Sequence, residues 1–342
     1  KPEHHDFEIA KGINQAIQVY PMYENAIRAA RQESVPDHLK RVSELWARFN
    51  EVAIHNPNAW IQDAFTAEEI RTPTETNRRI SFPYTKMMNA NMVVDMGAAI
   101  ILCSVEKAKE LGIPEEQWVY PTAGVQGYDH FSASVRDNFY SSPGLGLVGK
   151  RVMELAKVSP EEIDYVDLYS CFPSAVQIAA NELGFHEERP LTVTGGLTFG
   201  GGPLNNYVMH AVARTVELLR ETSGKKAFVS ANGGNLYKHV HCVYSSQAPE
   251  EPFQYENIQQ EIDALPSRMC LSEYSGKVEV ESYSVMYTED KPAVAHCAGL
   301  TSDGARVWSN CYDEDVLHDM TQMEFCGRTA VIRRDGTIGS FS

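Results

Sequence analysis

The chain has 342 residues, 43% apolar and 22% charged, with 30 basic against 46 acidic side chains and a net charge of −16. That describes a folded chain of two domains, or one large domain with an appendage. The negative charge disfavours nucleic acid and anionic membrane surfaces, and no run of about 18 apolar residues is present to span a bilayer.

Seven cysteines without a Cys-x-x-Cys pair read as reduced thiols of a cytoplasmic protein, and the opening KPEHHDFEIA lacks an apolar signal-peptide core. Residues 1–92 are polar, with helices expected over YENAIRAARQ and DHLKRVSELWARFNEVAI and loops at NPNAW, RTPTETNRR and SFPYTK. This zone reads as a helical excursion with long loops rather than a compact core. Between 93 and 248 the pattern becomes α/β. The apolar run GAAIILCS precedes a helix ending at Gly112, WVYPTAGVQGYD is a strand, and LGLVGKRVMELAKV is a helix. Ser159 and Pro160 open a short helix, DYVDLY is a strand, PSAVQIAANELG is a helix stopping at Gly184, and KKAFVSAN and HVHCVYS are two more strands. The alternation predicts a layered sheet covered by helices. Residues 249–276 read as a linker, and 277–342 as a small β-rich domain that packs as a separate module and brings no catalytic residue.

Three stretches carry candidate chemistry. In GGLTFGGGPLNNYVMHAVARTVELLR, residues 195–220, a glycine cluster enters an amphipathic helix whose stripe is Val208, Val212, Val216 and Leu219, with Asn205 or Asn206 as cap. Neither phosphate-binding pattern, G-x-x-x-x-G-K-[ST] or G-x-G-x-x-G, is met, which leaves a catalytic-type loop or a flexible surface loop. In DLYSCFPSAV, Ser170 and Cys171 occupy the turn between a strand and a helix, where a helix dipole favours a thiolate; a buried structural cysteine is the alternative. In SANGGNLYKHVHCVYS, Asn232 to Asn235 form a turn, and His239 and His241 share one strand face without a third ligand, so no metal site is expected.

VVDMGAAIILCSVEKAKELGI, EEIDYVDLYSCFPSAVQIAANELG, GGLTFGGGPLNNY and SANGGNLY follow one another in the order and spacing of loops of the thiolase superfamily. The chain resembles its sterol-carrier-type and thiolase-like type 1 branches over residues ~75–248, and the tail resembles the additional C-terminal domain of the type 1 group. The resemblance implies a thiolase-type layered α/β/α/β/α sandwich, represented by the loop domain and C-terminal half, with an added β-rich domain. It implies an acetyl-CoA acetyltransferase-like acyl transfer with acyl-CoA as substrate and no further cofactor. Aldolase-type carbon–carbon cleavage and a degenerate acyl-CoA- or partner-binding protein are the alternatives.

The resemblance places Tyr169, Cys171, Asn232 and His239 as catalytic candidates, and Phe172, Gly196, Gly201, Gly202, Pro203, Gly233 and Gly234 against substrate. Tyr169, Cys171, Gly202 and Asn232 are expected to line one pocket. The departures are specific: Gly202 stands where the family has its activating histidine, Ala231 where it has a second cysteine, and Tyr169 where the related loop has a histidine. His210 is a poor replacement, because on the helix it lies with Arg214 and Glu217 opposite the apolar stripe. The family's N-terminal half, which carries the nucleophilic cysteine, is expected to be missing or supplied by another chain, and a homo-oligomer is possible. On that reading Met209, Ala211 and Ala213 await a second helix.

Overall fold

The computed structural model describes residues 3–342, so the first two residues of the 1–92 region lie outside it. The chain begins with α1 (Asp6–Ile9), α2 (Ala16–Arg31), α3 (Val35–Ile54) and α4 (Ala67–Arg71), followed by β1 (Arg79–Phe82) and β2 (Tyr84–Thr85). α3 starts where the Ser34 side chain accepts the Asp37 amide and Pro36 occupies the first turn. The helices fall where expected, but they are core. Every residue from Val19 to Arg28 is buried, and Trp46 and Phe49 stack at 4.9 Å within the main core. Glu24, Asn25 and Arg28 look like a solvated face in the sequence, yet each is buried in hydrogen bonds.

There follow α5 (Val105–Glu110), β3 (Tyr120–Tyr128), α6 (Pro143–Ala156), β4 (Tyr165–Asp167), α7 (Pro173–Leu183), α8 (Tyr207–Glu221), β5 (Lys226–Gly233), β6 (Lys238–Ser245), β7 (Gln254–Asn257) and α9 (Gln259–Asp263). The strands form a mixed sheet of order β4-β5-β6-β3-β7. Val229 packs with α8, whereas its neighbour Phe228 meets Phe185 and His241 on the opposite face. Helices therefore cover both sides, as the period of two along a strand requires. The 249–276 stretch, expected as a linker, supplies β7, which runs parallel to β3 over Ala123–Gln126.

GAAIILCS is not a strand. Residues 89–104 are irregular, with Ile101 93% and Leu102 77% exposed. A strand needs a ladder partner for its N–H and C=O groups, and among the described residues none pairs with this run, so its backbone stays in water.

The remaining elements are β8 (Cys270–Leu271), β9 (Gly276–Thr288), β10 (Lys291–Leu300), β11 (Arg306–Cys311), α10 (Glu314–Met320), β12 (Thr329–Ile332) and β13 (Ile338–Phe341). They form a second sheet of order β13-β12-β9-β10-β11-β8, and β1 joins it by pairing with β9. This corrects the expectation of a separate module. Ser282 and Ser284 of β9 donate to the Met22 and Gln18 carbonyls of α2 at 2.5 and 2.8 Å. Arg306 pairs with Glu281 and donates to the carbonyls of Ala133, Ser134 and Arg136. Among the described residues no helix is long and apolar enough to cross a membrane, and all seven cysteines are free.

One core residue sits badly. Among the described residues neither ring nitrogen of the buried His241 makes a well-aligned hydrogen bond, with only the backbone at Leu145 and Val240 close to it, and burial, reinforced by His239, pushes its pKa down to about 3. The unfolded side chain takes a proton near 6.5, so the folded state binds fewer protons and stability is lost as pH falls from about 6.5 towards 3. His241→Leu should raise the unfolding free energy by roughly 1–3 kcal/mol at neutral pH and remove that acid-side loss in urea titrations. The step from Asp129 should remain: its carboxyl is held down to about 2 despite burial, mainly by His239. Its stability contribution disappears only between about 4 and 2. An unchanged pH profile in the variant would refute this assignment.

Candidate functional site

The site is built where the end of β4, the N-terminus of α7, the tip of the β5–β6 hairpin and the Gly-rich loop meet α2 and α3. Asp167, the last residue of β4, is the pin of the loop. It is buried and accepts from the Thr192 hydroxyl at 2.9 Å, the Val193 amide at 2.9 Å and the Tyr207 hydroxyl at 3.0 Å. Burial raises its pKa to about 6, against the lowering effect of these donors. Tyr207 thereby ties the first turn of α8 to β4.

The helix presents a face other than the expected one. Its buried residues are Tyr207, Ala211, Val212, Thr215 and Leu219, with Val208 and Val216 only half-buried, so the stripe is rotated from the expected one. Ala211, expected to await another helix, is buried on this side. Asn206 precedes α8 without a capping side-chain bond; a 3₁₀ turn at Leu204–Asn206 leads in instead.

The glycines answer to packing. Gly195 and Gly196 have φ of 97° and 73°, a region that favours glycine. A Cβ on Gly195 would run into the backbone of Ala53 in α3, and one on Gly196 would lie 2.7 Å from both Phe49 and the Ser170 hydroxyl. The loop is stitched to its surroundings by Trp60 and Ile61 amides donating to Gly200 and Phe199 carbonyls, and by Gly202 donating to Asn91. Close approach is therefore first to the protein's own α3.

Cys171 lies between Tyr20 of α2 and Asn232 of β5. The Asn232 amide donates to the Tyr20 hydroxyl at 3.1 Å and approaches Sγ of Cys171 at 3.9 Å, while Tyr20 donates to the Gly234 carbonyl at 3.1 Å. Phe172 stacks on Tyr20 at 4.4 Å. Burial pushes the Cys171 thiol up to about 12, so the protonated form is favoured at neutral pH. The expected activation by the α7 N-terminus is outweighed by desolvation. Tyr169 is likewise pushed well above the phenol range by burial and by Cys171, and its ring meets Tyr207 edge-on at 5.4 Å.

The structure thus gathers Tyr169, Cys171, Phe172 and Asn232. Tyr169 and Cys171 also pack on the cluster containing Leu197, and a Cβ on Gly202 would lie 3.3 Å from Leu197. Gly233 and Gly234 form the hairpin tip, and Pro203 follows at the half-buried end of the loop. His239 shares the sheet face of Asn232, which it opposes in the ladder, but not its contacts: its Nε2 meets Asp129 at 3.1 Å and Ser142 at 3.4 Å beside α6.

Sequence reasoning missed Tyr20, Asp167 and the placement of His210. Of these, only Asp167 gave a signal, as a carboxylate inside a short apolar strand. His210 lines a cavity of about 320 Å³ with Gly200, Gly201, Tyr207, Arg214 and Asn56. Burial lowers its pKa, so its imidazole is neutral at pH 7. The Nε atom of Arg214 is buried without a partner among the described residues, and its Nη1 pairs with Glu217 at 2.9 Å.

Comparison with known proteins agrees with this architecture. A monomeric SCP2-thiolase-like protein type 1 from Mycobacterium smegmatis superposes with a TM-score of 0.89 at 32% identity, over 98% of this chain and 74% of that one. The Ltp2–ChsH2(DUF35) aldolase shares the fold with a TM-score of 0.51 at 19% identity, over 69% of this chain and 65% of that one. A family model for the additional C-terminal domain of thiolase-like protein type 1 matches residues 257–337. An acetyl-CoA acetyltransferase of Methanothermobacter thermautotrophicus is 25% identical over 54% of this chain and 51% of its own length. One from Arabidopsis thaliana is 30% identical over 43% of this chain and 33% of its own. The chain spans about half or less of the length of these curated relatives.

Thiol chemistry checks the site geometry directly. Cys103 is exposed, whereas Cys171 is half-buried with a suppressed thiolate. With iodoacetamide at pH 7.5, mass mapping should show Cys103 modified at least a hundredfold faster than Cys171. Comparable rates would mean that Cys171 is activated after all.

Proposed function

Since the chain belongs to the thiolase-like protein type 1 family, we propose that it binds an acyl-CoA thioester in the cavity between the Gly-rich loop and α8. The reaction class is thiolase-type acyl transfer, with His210 in the role of the histidine that Gly202 replaces. The observation that carries this reading is the joint placement of His210 and Arg214 on the cavity wall shared with Gly200 and Gly201. It revises the expectation from the sequence: the polar face of α8 is the face that meets the loop.

The chemistry follows from the two side chains. A neutral imidazole accepts the proton of an attacking thiol, an assistance worth roughly 10²–10⁴-fold. The guanidinium of Arg214 has donor capacity in hand and opposes the negative charge that develops on a thioester oxygen, or holds a phosphate of coenzyme A.

A second reading, acyl-CoA binding without turnover, is favoured by the upward shift that burial imposes on the Cys171 thiol. Tyr169 is also the residue an aldolase-type cleavage would call on as acid/base, and its buried hydroxyl makes a poor base. Calorimetric titration with acetyl-CoA and an acetoacetyl-CoA thiolysis assay separate these readings. Binding should be weakened about tenfold or more by Arg214→Gln. Thiolysis should be weak, and His210→Gln should lower it by a further 10²-fold or more with little change in binding. Binding with no detectable thiolysis would leave the non-catalytic reading. Absence of acetyl-CoA binding, or variants that bind as the parent does, would remove the cavity from consideration.

A further inference from the structure

A second cavity, of about 510 Å³, lies between the start of α3, the β1–β2 turn and the β9–β10 turn with α10. Its size is within the range of small-molecule sites. The walls combine apolar side chains, with Leu39, Phe82 and Pro292 among them, and polar ones that include Arg71, Arg79 and His318. In a chain of net charge −16, two guanidiniums at one cavity run against the overall field.

Both arginines are uncommitted. Among the described residues neither has a carboxylate within ion-pair distance, in contrast to Arg28, Arg41, Arg151 and Arg306. Arg71 spends one N–H on the Ser43 hydroxyl, at 3.4 Å. Arg79 makes no side-chain hydrogen bond and holds its guanidinium 5.8 Å from the ring centre of Tyr287. That contact orients it without using its in-plane donors. Asp290 is the one carboxylate among the lining residues, and it is exposed.

We propose that this cavity is a binding site for a small amphipathic organic anion: a carboxylate or phosphate head held by Arg71 and Arg79, with an apolar body against Leu39, Phe82 and Pro292. A bidentate guanidinium–oxyanion contact gives the head its orientation. The site is independent of the acyl-CoA reading, because it shares no lining residue with the cavity at the Gly-rich loop. It also reaches towards the other site. Tyr84 contributes to the cavity wall, its ring stacks on Phe172 at 5.7 Å, and its hydroxyl contacts Ser174 at 2.9 Å, one turn from Cys171.

The test uses para-trifluoromethylbenzoate as probe, followed by fluorine NMR line broadening, with para-trifluoromethylbenzyl alcohol as its neutral counterpart. The benzoate should bind at least tenfold more tightly than the alcohol. Arg71→Gln and Arg79→Gln should each weaken it by about tenfold, as expected for loss of a charge-assisted contact. Leu39→Trp should occlude the cavity and weaken both probes. Arg214→Gln, in the other cavity, should leave benzoate binding unchanged. Thermal unfolding checks each variant, and if Arg71→Gln or Leu39→Trp perturbs the fold, the exposed Arg79→Gln decides. Equal affinity of the two probes, parent-like binding by Arg79→Gln, no benzoate binding, or loss of binding on Arg214→Gln would each overturn the proposal.

Discussion

The structure depends on a helix whose central stretch, Val19 to Arg28, has no face in water. α2 lies between the helical layer of the first sheet and the strands of the second, so every polar atom on it must find a protein partner. Arg28 shows how completely this is met. Its guanidinium donates to Asn25, to the Tyr283 hydroxyl and to both oxygens of Glu324, and it lies over the Phe82 and Tyr283 rings. Glu24, four residues earlier, accepts from His38, Gln177 and the Tyr84 hydroxyl. One helix thus holds α3, α7, the β1–β2 turn and the additional β-rich domain in register. Removing one partner of such a buried pair strands the other, at a cost of roughly 3–5 kcal/mol.

The same helix reaches the candidate site. Tyr20 contacts Asn232, the Gly234 carbonyl and Phe172, so the position of the hairpin tip follows from that of α2. On the other side, α3 sets the Gly-rich loop through Ala53 and Phe49, against which no side chain larger than hydrogen fits at Gly195 and Gly196. Helices from the N-terminal region therefore shape loops from the α/β region, and the additional domain fixes those helices from behind.

Much of this was legible in the sequence. The α/β alternation, the cap at Ser159 and the stop at Gly184 follow from local rules that the structure obeys. The four family-like stretches identified the layered fold and most of the residues that converge. What local reading missed depends on distant contacts. Buried Glu24 and Arg28 have the letters of a surface, because their partners lie on other elements. GAAIILCS has the composition of a strand, but composition does not supply a ladder partner. The orientation of α8 goes with contacts distant in sequence, among them the hydrogen bond from Tyr207 to Asp167, forty residues away. The polar face that made His210 look remote is the face the rotated helix turns towards the loop.

Desolvation explains why these candidates divide as they do. Removing a group from water favours its neutral form, whichever form that is. For a thiol or a phenol the neutral form keeps its proton, so the burial that packs Cys171 and Tyr169 against the core also quiets them as nucleophile and base. For an imidazole the neutral form is the one without the extra proton, so milder burial leaves His210 ready to accept one. Two residues of the family-like loop, Cys171 that keeps the motif and Tyr169 that departs from it, are thereby suppressed by the packing that holds the loops together. The residue with usable acid–base character is one that no motif singles out. On the proposed reading, such a site takes a proton from a bound thiol. It is poorly suited to forming a covalent intermediate at Cys171, and that asymmetry sets the chemistry to look for in this chain.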